Sequence, residues 1–173
     1  MHDGDNSQPS SKTRVIAIVS VIAVVALCGF IFFMSARPAV ESDAMSLGIV
    51  GQIVGFVVPG YDQMSAADQL YWQQTLNHPV RKTAHFLEYA VLGALTLNMI
   101  VQVMRARGRN PRAVLKRLAA EAWALSTIYA ATDEIHQLFV QGRTGKPTDV
   151  LIDSAGVLVG VLIVVLIVRK VKK

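Results

Sequence analysis

Hydrophobic residues gather in long uncharged runs, and two of these runs are long enough to cross a bilayer. Residues 15–34, VIAIVSVIAVVALCGFIFFM, are twenty positions without a charge. A helix of that length rises about 30 Å, which is the thickness of the hydrocarbon core of a bilayer. Residues 150–168 end in the equally apolar VLVGVLIVVLIV. Both runs therefore predict transmembrane helices.

Two further helices, at about 83–104 and 118–139, are more polar. The first carries His85 and Glu88, and the second has an uncharged stretch only from Ala122 to Thr132, a length that fits a buried or interfacial helix equally well. Their assignment to the membrane therefore depends on the apolar runs on either side. Together the four segments predict an all-α integral membrane bundle of four transmembrane helices.

The connection between the first two spans contains a shorter apolar piece, MSLGIVGQIVGFVVPG. Its glycines and the final Pro59-Gly60 make it too short and too interrupted for a confident span. We expect an interfacial or re-entrant helix at residues 47–60.

The polar sequence at the start favours a disordered cytoplasmic tail over residues 1–14, followed by a membrane domain over 15–168 and a basic cytoplasmic end over 169–173. The first span could instead be a signal peptide, because Lys12 and Arg14 form a basic region before it. Its apolar run is longer than the roughly 7 to 15 residues usual in signal peptides. The sequence favours a transmembrane span and leaves this alternative open.

Composition supports a membrane protein, since hydrophobic residues make up 53% of the chain and charged residues only 17%, against about a quarter in ordinary globular chains. The formal net charge is +5. No aromatic residues interleave the basic clusters as a single-strand binding face would require, so the charge indicates lipid and not nucleic acid. We expect no cofactor and no metal, and the lone Cys28 permits no intrachain disulfide.

Lysine and arginine residues fall unevenly between alternate connections. If the N-terminus is inside, twelve lie in cytoplasmic segments: Lys12, Arg14, Arg105, Arg107, Arg109, Arg112, Lys116, Arg117, Arg169, Lys170, Lys172 and Lys173. The other side has five: Arg37, Arg81, Lys82, Arg143 and Lys146. By the positive-inside rule, both termini are expected in the cytoplasm.

With this topology, ionisable residues from three separate segments lie at the extracytoplasmic end of the bundle. Charges that face lipid cost roughly 2.5–3.5 kcal/mol each at mid-helix on insertion scales, so we expect these side chains to turn inward and pair. The predicted polar cluster consists of Arg81, Lys82, His85, Glu88, Asp133, Glu134, Gln137, Arg143, Asp149 and Asp153.

Two glycines continue one face of the last span. Asp149, Asp153, Gly156 and Gly160 follow the spacing i, i+4, i+7, i+11, which places two carboxylates above a GxxxG contact surface. This stripe predicts close packing against another helix. The sequence does not decide between a helix of the same chain and a homodimer through Gly156 and Gly160.

The polar motifs resemble the VanZ-like family, membrane proteins of the teicoplanin-resistance type. RKTAHFLEYAVLG at 81–93 and ATDEIHQLFVQGRTGKPTDVLIDSAGVLVG at 131–160 carry the resemblance, and SARPAVESDAMS at 35–46 is similar to the serine-containing stretch after the family's first span. Gln141 departs from the pattern, because a proline often precedes the Gly-Arg pair. The resemblance implies a small helical protein of the bacterial cytoplasmic membrane, linked in some members to reduced glycopeptide susceptibility, and it implies no established reaction.

Four interpretations of the polar cluster remain open. It could be a structural network of ion pairs, or a site that binds an outer-leaflet or cell-wall ligand through its cations. It could also belong to a membrane enzyme acting on a lipid-linked phosphate. His85 with Glu88, or His136 with Asp133, would then be an acid–base pair, or Asp149 and Asp153 would hold a divalent metal. Proton transport is the fourth. The sequence favours a non-catalytic envelope modulator that binds a ligand.

Overall fold

The computed structural model describes residues 9–170, and within them all regular structure is helical. The all-α prediction is confirmed. The helices are α1 (Ser11–Ser35), α2 (Ala39–Val57), α3 (Ala66–Ala106), α4 (Leu115–Gln137) and α5 (Pro147–Lys170), with short 3-10 turns at Tyr61–Gln63 and Pro111–Val114. Residues 1–8 of the predicted tail and 171–173 of the predicted basic end lie outside the described residues.

Helices α1, α4, α5 and the C-terminal part of α3 form one bundle around a shared apolar core. The chain direction alternates: Asn98 of α3 donates to Ser20 of α1 at 3.2 Å, and Ser126 of α4 donates to Thr96 of α3 at 3.1 Å. Arg169 lines a cavity together with the α3–α4 connection. The start of α1, this basic connection and the end of α5 therefore lie at one end of the bundle, which we call the basic end.

Four helices, α1, α2, α3 and α5, are long and apolar enough to cross a membrane. Helix α4 is less apolar, and it packs on α3 and α5 through a face of residues spaced three or four apart. That face contains Leu115, Leu118, Ala122, Ser126, Ala130, Asp133 and Gln137. Its place in the bundle comes from this packing, since its sequence alone is only weakly hydrophobic.

Helix α2 is a continuous helix of 19 residues, which begins before the predicted 47–60 segment. Its glycines do not break it. Two of them allow close contacts: a Cβ on Gly51 would lie 3.0 Å from Gln73 Nε2, and one on Gly55 would lie 3.4 Å from the Tyr61 ring. Val50 and Val54 of α2 are buried with Tyr61 in a second, smaller core. The glycines thus permit tight packing and do not interrupt the helix.

The second core also includes Trp72, Leu76 and Val80, so α2 forms a hairpin with the N-terminal half of α3. The predicted second span, 83–104, is only the C-terminal part of α3, which has 41 residues. A helix of that length is about 60 Å long, twice the hydrocarbon thickness. About half of α3 therefore belongs to this hairpin, outside the four-helix bundle.

The glycine stripe of α5 packs on α3 within the chain. A Cβ on Gly156 would collide with the Phe86 carbonyl oxygen, and one on Gly160 would collide with that of Ala90. Gly93 of α3 meets the main chain of Val157 in the same way. Both α5 glycines are buried, so their surface is used for packing inside this chain.

Candidate functional site

The predicted polar cluster lies at the end of the bundle opposite the basic end, where α1 ends, α3 leaves the hairpin and α5 begins. We call this the polar end. Arg81 and Lys82 follow one another on α3, so their side chains point about 100° apart. Arg81 pairs with Asp43 of α2, and Lys82 pairs with Asp149 of α5. The two ion pairs thus connect α3 to α2 on one side and to α5 on the other.

Arg143, in the loop between α4 and α5, has only neutral acceptors. Its Nε donates to the Arg37 carbonyl oxygen at 2.9 Å, and Nη2 donates to that of Met34 at 3.2 Å. Nη1 donates to Gln137 Oε1 at 3.4 Å. Among residues 9–170, no carboxylate lies within the 4.0 Å of an ion pair with this guanidinium.

These contacts place Arg143 against the carbonyl end of α1, where the helix dipole favours a cation. Burial and the nearby Arg81 guanidinium lower the pKa of Arg143 from its usual value, but an arginine side chain stays charged in proteins. The loop therefore places the half-buried positive charge of Arg143 at the end of α1. Carbonyl groups hold it in position, and no ion pair within residues 9–170 neutralises it.

Three buried side chains near the end of α4 form a hydrogen-bonded group. Gln137 Nε2 donates to Asp133 Oδ2 at 3.0 Å and to Glu134 Oε1 at 3.3 Å, while the main-chain N–H of Lys146 donates to Glu134 Oε2 at 2.9 Å. Asp133 Oδ1 is buried and accepts no hydrogen bond from any of residues 9–170. Gln137 therefore links both carboxylates to Arg143, and one carboxylate oxygen is left without a donor.

The remaining predicted residues are less connected. His85 Nδ1 lies 3.9 Å from Glu88 Oε2 on the same face of α3, which is too long for a hydrogen bond. Asp153 is 2% exposed on α5, beneath Asp149. His136, the other candidate acid–base residue, stacks on Phe32 with ring centroids 4.4 Å apart, so its contacts are those of a packed residue.

Two adjoining cavities open among these side chains. A polar cavity of about 340 Å³ is bordered by Arg81, Lys82, His85, Glu134, Gln137, Arg143 and Asp149, together with residues of the hairpin and the α4–α5 loop. A smaller apolar cavity of about 190 Å³ is bordered by Glu88 and Asp133, by the C-terminal end of α1 and by the N-terminal half of α2. Arg81, His85 and Arg143 line both cavities.

Nine of the ten predicted residues therefore border one of these two cavities, and Asp153 borders neither. Within residues 9–170, no group of three or more His, Cys, Asp and Glu side chains is arranged to hold a metal ion. The arrangement can hold an anion at Arg143 and accept a hydrogen bond at Asp133. Its ion pairs and hydrogen bonds connect all five helices and the α4–α5 loop.

Sequence reasoning missed the contribution of α2. Asp43 is the partner of Arg81, and Ser46 hydrogen-bonds Asn77 across the hairpin. The predicted topology contained a usable signal, because the connection that holds Asp43 emerges at the same end as Arg81. The main-chain acceptors of Arg143 at Met34 and Arg37 had no signal in the side-chain pattern.

Comparison with known proteins gives one match. A sequence model of the family described as VanZ/LLP1 matches residues 20–168, which is most of the chain. No curated protein and no solved structure matches. The matched range includes α2, α3 and α4, most of α1 and α5, and the residues of both cavities. The chain is a multi-pass membrane protein that belongs to the VanZ/LLP1 family.

Proposed function

We propose that this protein is a non-catalytic modulator of the bacterial cell envelope, which binds an anionic group of an outer-leaflet or cell-wall ligand at its polar end. The observation that carries the proposal is Arg143: a fixed guanidinium that borders both cavities and has no carboxylate partner among residues 9–170. A guanidinium presents a planar set of donors that matches phosphate and carboxylate groups. We propose reduced susceptibility to glycopeptides such as teicoplanin as the phenotype.

The proposed orientation puts the polar end outside the cell and both termini in the cytoplasm. Its support is the distribution of lysine and arginine, twelve on the basic side and five on the polar side, which follows the positive-inside rule. In this orientation the polar cavity opens to the external water, where a cell-wall precursor or an outer-leaflet headgroup is accessible.

The competing explanation is that Arg143 only holds the fold together. It joins the α4–α5 loop to the end of α1 through two carbonyls, and loss of a buried hydrogen-bonded charge can destabilise a protein by several kcal/mol. A structural role needs the hydrogen bonds of Arg143. A binding role also needs the two N–H groups of Nη1 and Nη2 that are not donated within the protein.

The two roles are separated by complementing a deletion strain with the wild-type gene, Arg143→Ala or Arg143→Lys. Teicoplanin susceptibility and the amount of protein in the membrane are measured together. Binding predicts that Arg143→Lys keeps the membrane abundance and loses most of the resistance, because lysine keeps the charge without the fork. Arg117→Ala is the matched control, since Arg117 lies at the basic end and pairs with Glu121.

If resistance falls only in proportion to abundance in both Arg143 variants, the cluster is structural and the binding proposal is wrong. If the deletion itself leaves susceptibility unchanged, teicoplanin is not the phenotype. Binding of anionic probes to purified protein then becomes the deciding measurement, with Arg143→Lys again as the variant.

A further inference from the structure

The apolar cavity differs from the polar cavity in the residues that form its walls. Phe30, Ile31 and Met34 of α1 face Met45 and Ile49 of α2 across it. Both helices pack on α3 and not extensively on one another. The cavity therefore lies in a crevice between α1 and the hairpin, beneath the cationic residues that it shares with the polar cavity.

This crevice reaches the outer surface of the protein. Phe30 and Ile49 both line the cavity, yet their side chains are 53% and 55% exposed. Phe30 belongs to the uncharged part of α1, so its outward surface contacts acyl chains when α1 spans the membrane. A hydrocarbon chain can therefore enter the cavity sideways, between Phe30 and Ile49, without crossing a polar barrier.

The inner wall of the cavity offers a hydrogen-bond acceptor close to the cation. Asp133 is 4% exposed, and its Oδ1 has no donor. Leaving a buried acceptor without a partner costs free energy that a ligand donor would recover. Glu88, on the same wall, has no ionic contact within the described part of the chain except the distant one with His85. Arg143, Asp133 and the apolar wall thus present a cation, an acceptor and a hydrocarbon surface around one space.

We propose that the crevice binds one acyl chain of an anionic phospholipid, with the phosphate at Arg143 and a headgroup hydroxyl donating to Asp133. This inference rests on the proposed function and deepens it, because it makes the ligand a membrane lipid and not a soluble cell-wall fragment. A cavity of about 190 Å³ is smaller than the roughly 300–1,000 Å³ of sites that enclose a whole ligand. It holds the first part of the chain, and the rest passes between α1 and α2 into the bilayer.

The test measures lipid binding to the purified full-length protein in detergent micelles by native mass spectrometry. The probes are phosphatidylglycerol, phosphatidylmethanol, which has the same phosphate and chains but no headgroup hydroxyl, phosphatidylcholine, and glycerol 3-phosphate, which has no chains. We expect phosphatidylglycerol to bind most tightly and phosphatidylmethanol more weakly. Phosphatidylcholine and glycerol 3-phosphate should bind at least about tenfold more weakly than phosphatidylglycerol.

The matched variants are Ile49→Trp and Ile53→Trp on α2. Ile49 lines the crevice, whereas Ile53, one turn further along, does not line it and is 41% exposed. Filling the crevice should weaken phosphatidylglycerol binding about tenfold in Ile49→Trp and leave Ile53→Trp within about twofold of wild type. Phe30→Trp, on the opposite wall, repeats the test if Ile49→Trp does not yield a folded protein, as judged by its thermal melt.

The outcomes separate this inference from the proposed function. Equal binding of phosphatidylglycerol and glycerol 3-phosphate, or unchanged lipid binding in folded Ile49→Trp and Phe30→Trp, would overturn the acyl-chain site while the anion site stands. Equal binding of phosphatidylglycerol and phosphatidylmethanol would remove the contact to Asp133. If Arg143→Lys binds every anionic probe as tightly as wild type, the proposed anion site itself is wrong.

Discussion

The contact between α3 and α5 makes a sharp prediction for Gly160. In Gly160→Ala the new Cβ would lie 2.7 Å from the Ala90 carbonyl carbon and 3.0 Å from Ala94 N, and closer still to the Ala90 carbonyl oxygen. Because these are main-chain atoms, no side chain can rotate away. The two helices must move apart by roughly 1 to 2 Å to restore ordinary contact distances near 3.5 Å.

Overpacking of a well-packed core costs about 1–3 kcal/mol, and α3 and α5 carry most of the larger core, including Leu97, Val157 and Val161. Gly29→Ala in α1 is the matched control, because a Cβ there meets nothing within 4 Å. Replacing a mid-helix glycine by alanine without a clash gains about 0.5–1 kcal/mol. The two variants should therefore differ by about 1.5–4 kcal/mol in the free energy of unfolding.

The assay is reversible unfolding of both variants in the same detergent, with the membrane abundance of each measured in cells. Gly160→Ala should unfold at lower denaturant concentration than wild type, and Gly29→Ala at the same or higher concentration. If the two alanine variants are equally stable, the close packing of α5 on α3 described above is wrong.

Three further predictions concern individual contacts at and below the polar end. Lys82→Ala and Asp149→Ala should show a coupling free energy of about 1 kcal/mol in a double-mutant cycle, because the two side chains form an ion pair at a partly exposed site. Gly142→Ala should lower the free energy of unfolding by about 1–2 kcal/mol, because Gly142 has φ +74° and a left-handed conformation is costly for alanine. Tyr129→Phe should lower it by about 1 kcal/mol, because the Tyr129 hydroxyl donates to the Cys28 carbonyl oxygen at 2.6 Å.

The Gly142 and Tyr129 predictions each have a control variant within the chain. Gly48→Ala places a Cβ in open space on α2, and Tyr71 is 65% exposed on α3, so Gly48→Ala and Tyr71→Phe should leave unfolding within about 0.5 kcal/mol of wild type or above it. Additive effects of the Lys82 and Asp149 variants would show that their ion pair does not form. If Gly142→Ala is as stable as Gly48→Ala, the left-handed conformation of Gly142 is wrong. If Tyr129→Phe is as stable as Tyr71→Phe, the hydrogen bond of Tyr129 is wrong.

The two spans with long uncharged runs were predictable from the sequence, because an apolar run of sufficient length by itself indicates a transmembrane helix. Residues 15–34 and 150–168 lie within α1 and α5. Helix α3 was predicted only from residue 83, since its first part contains Gln73, Gln74 and Pro79 and has no apolar run. That part is held by the smaller core formed with α2, which is a tertiary contact that local sequence does not report.

The gathering of charges at one end was predictable for a similar reason, because an alternating topology brings the ends of neighbouring spans together. Their exact partners were not. Arg81 and Lys82 are adjacent in sequence, but one pairs with α2 and the other with α5, and this depends on the rotation of α3 about its axis. The two cavities likewise depend on how the hairpin sits beside the end of α1, which no spacing in the sequence specifies.

The proposed site requires that the polar cavity opens to the water outside the cell. Thr144 is exposed and lines this cavity, and Arg109 is exposed at the basic end. Single cysteines at these positions, in a Cys28→Ser background, can be labelled in intact cells with a membrane-impermeant maleimide. We expect Thr144→Cys to be labelled in intact cells and Arg109→Cys only after lysis; the reverse pattern would show that the polar cavity faces the cytoplasm.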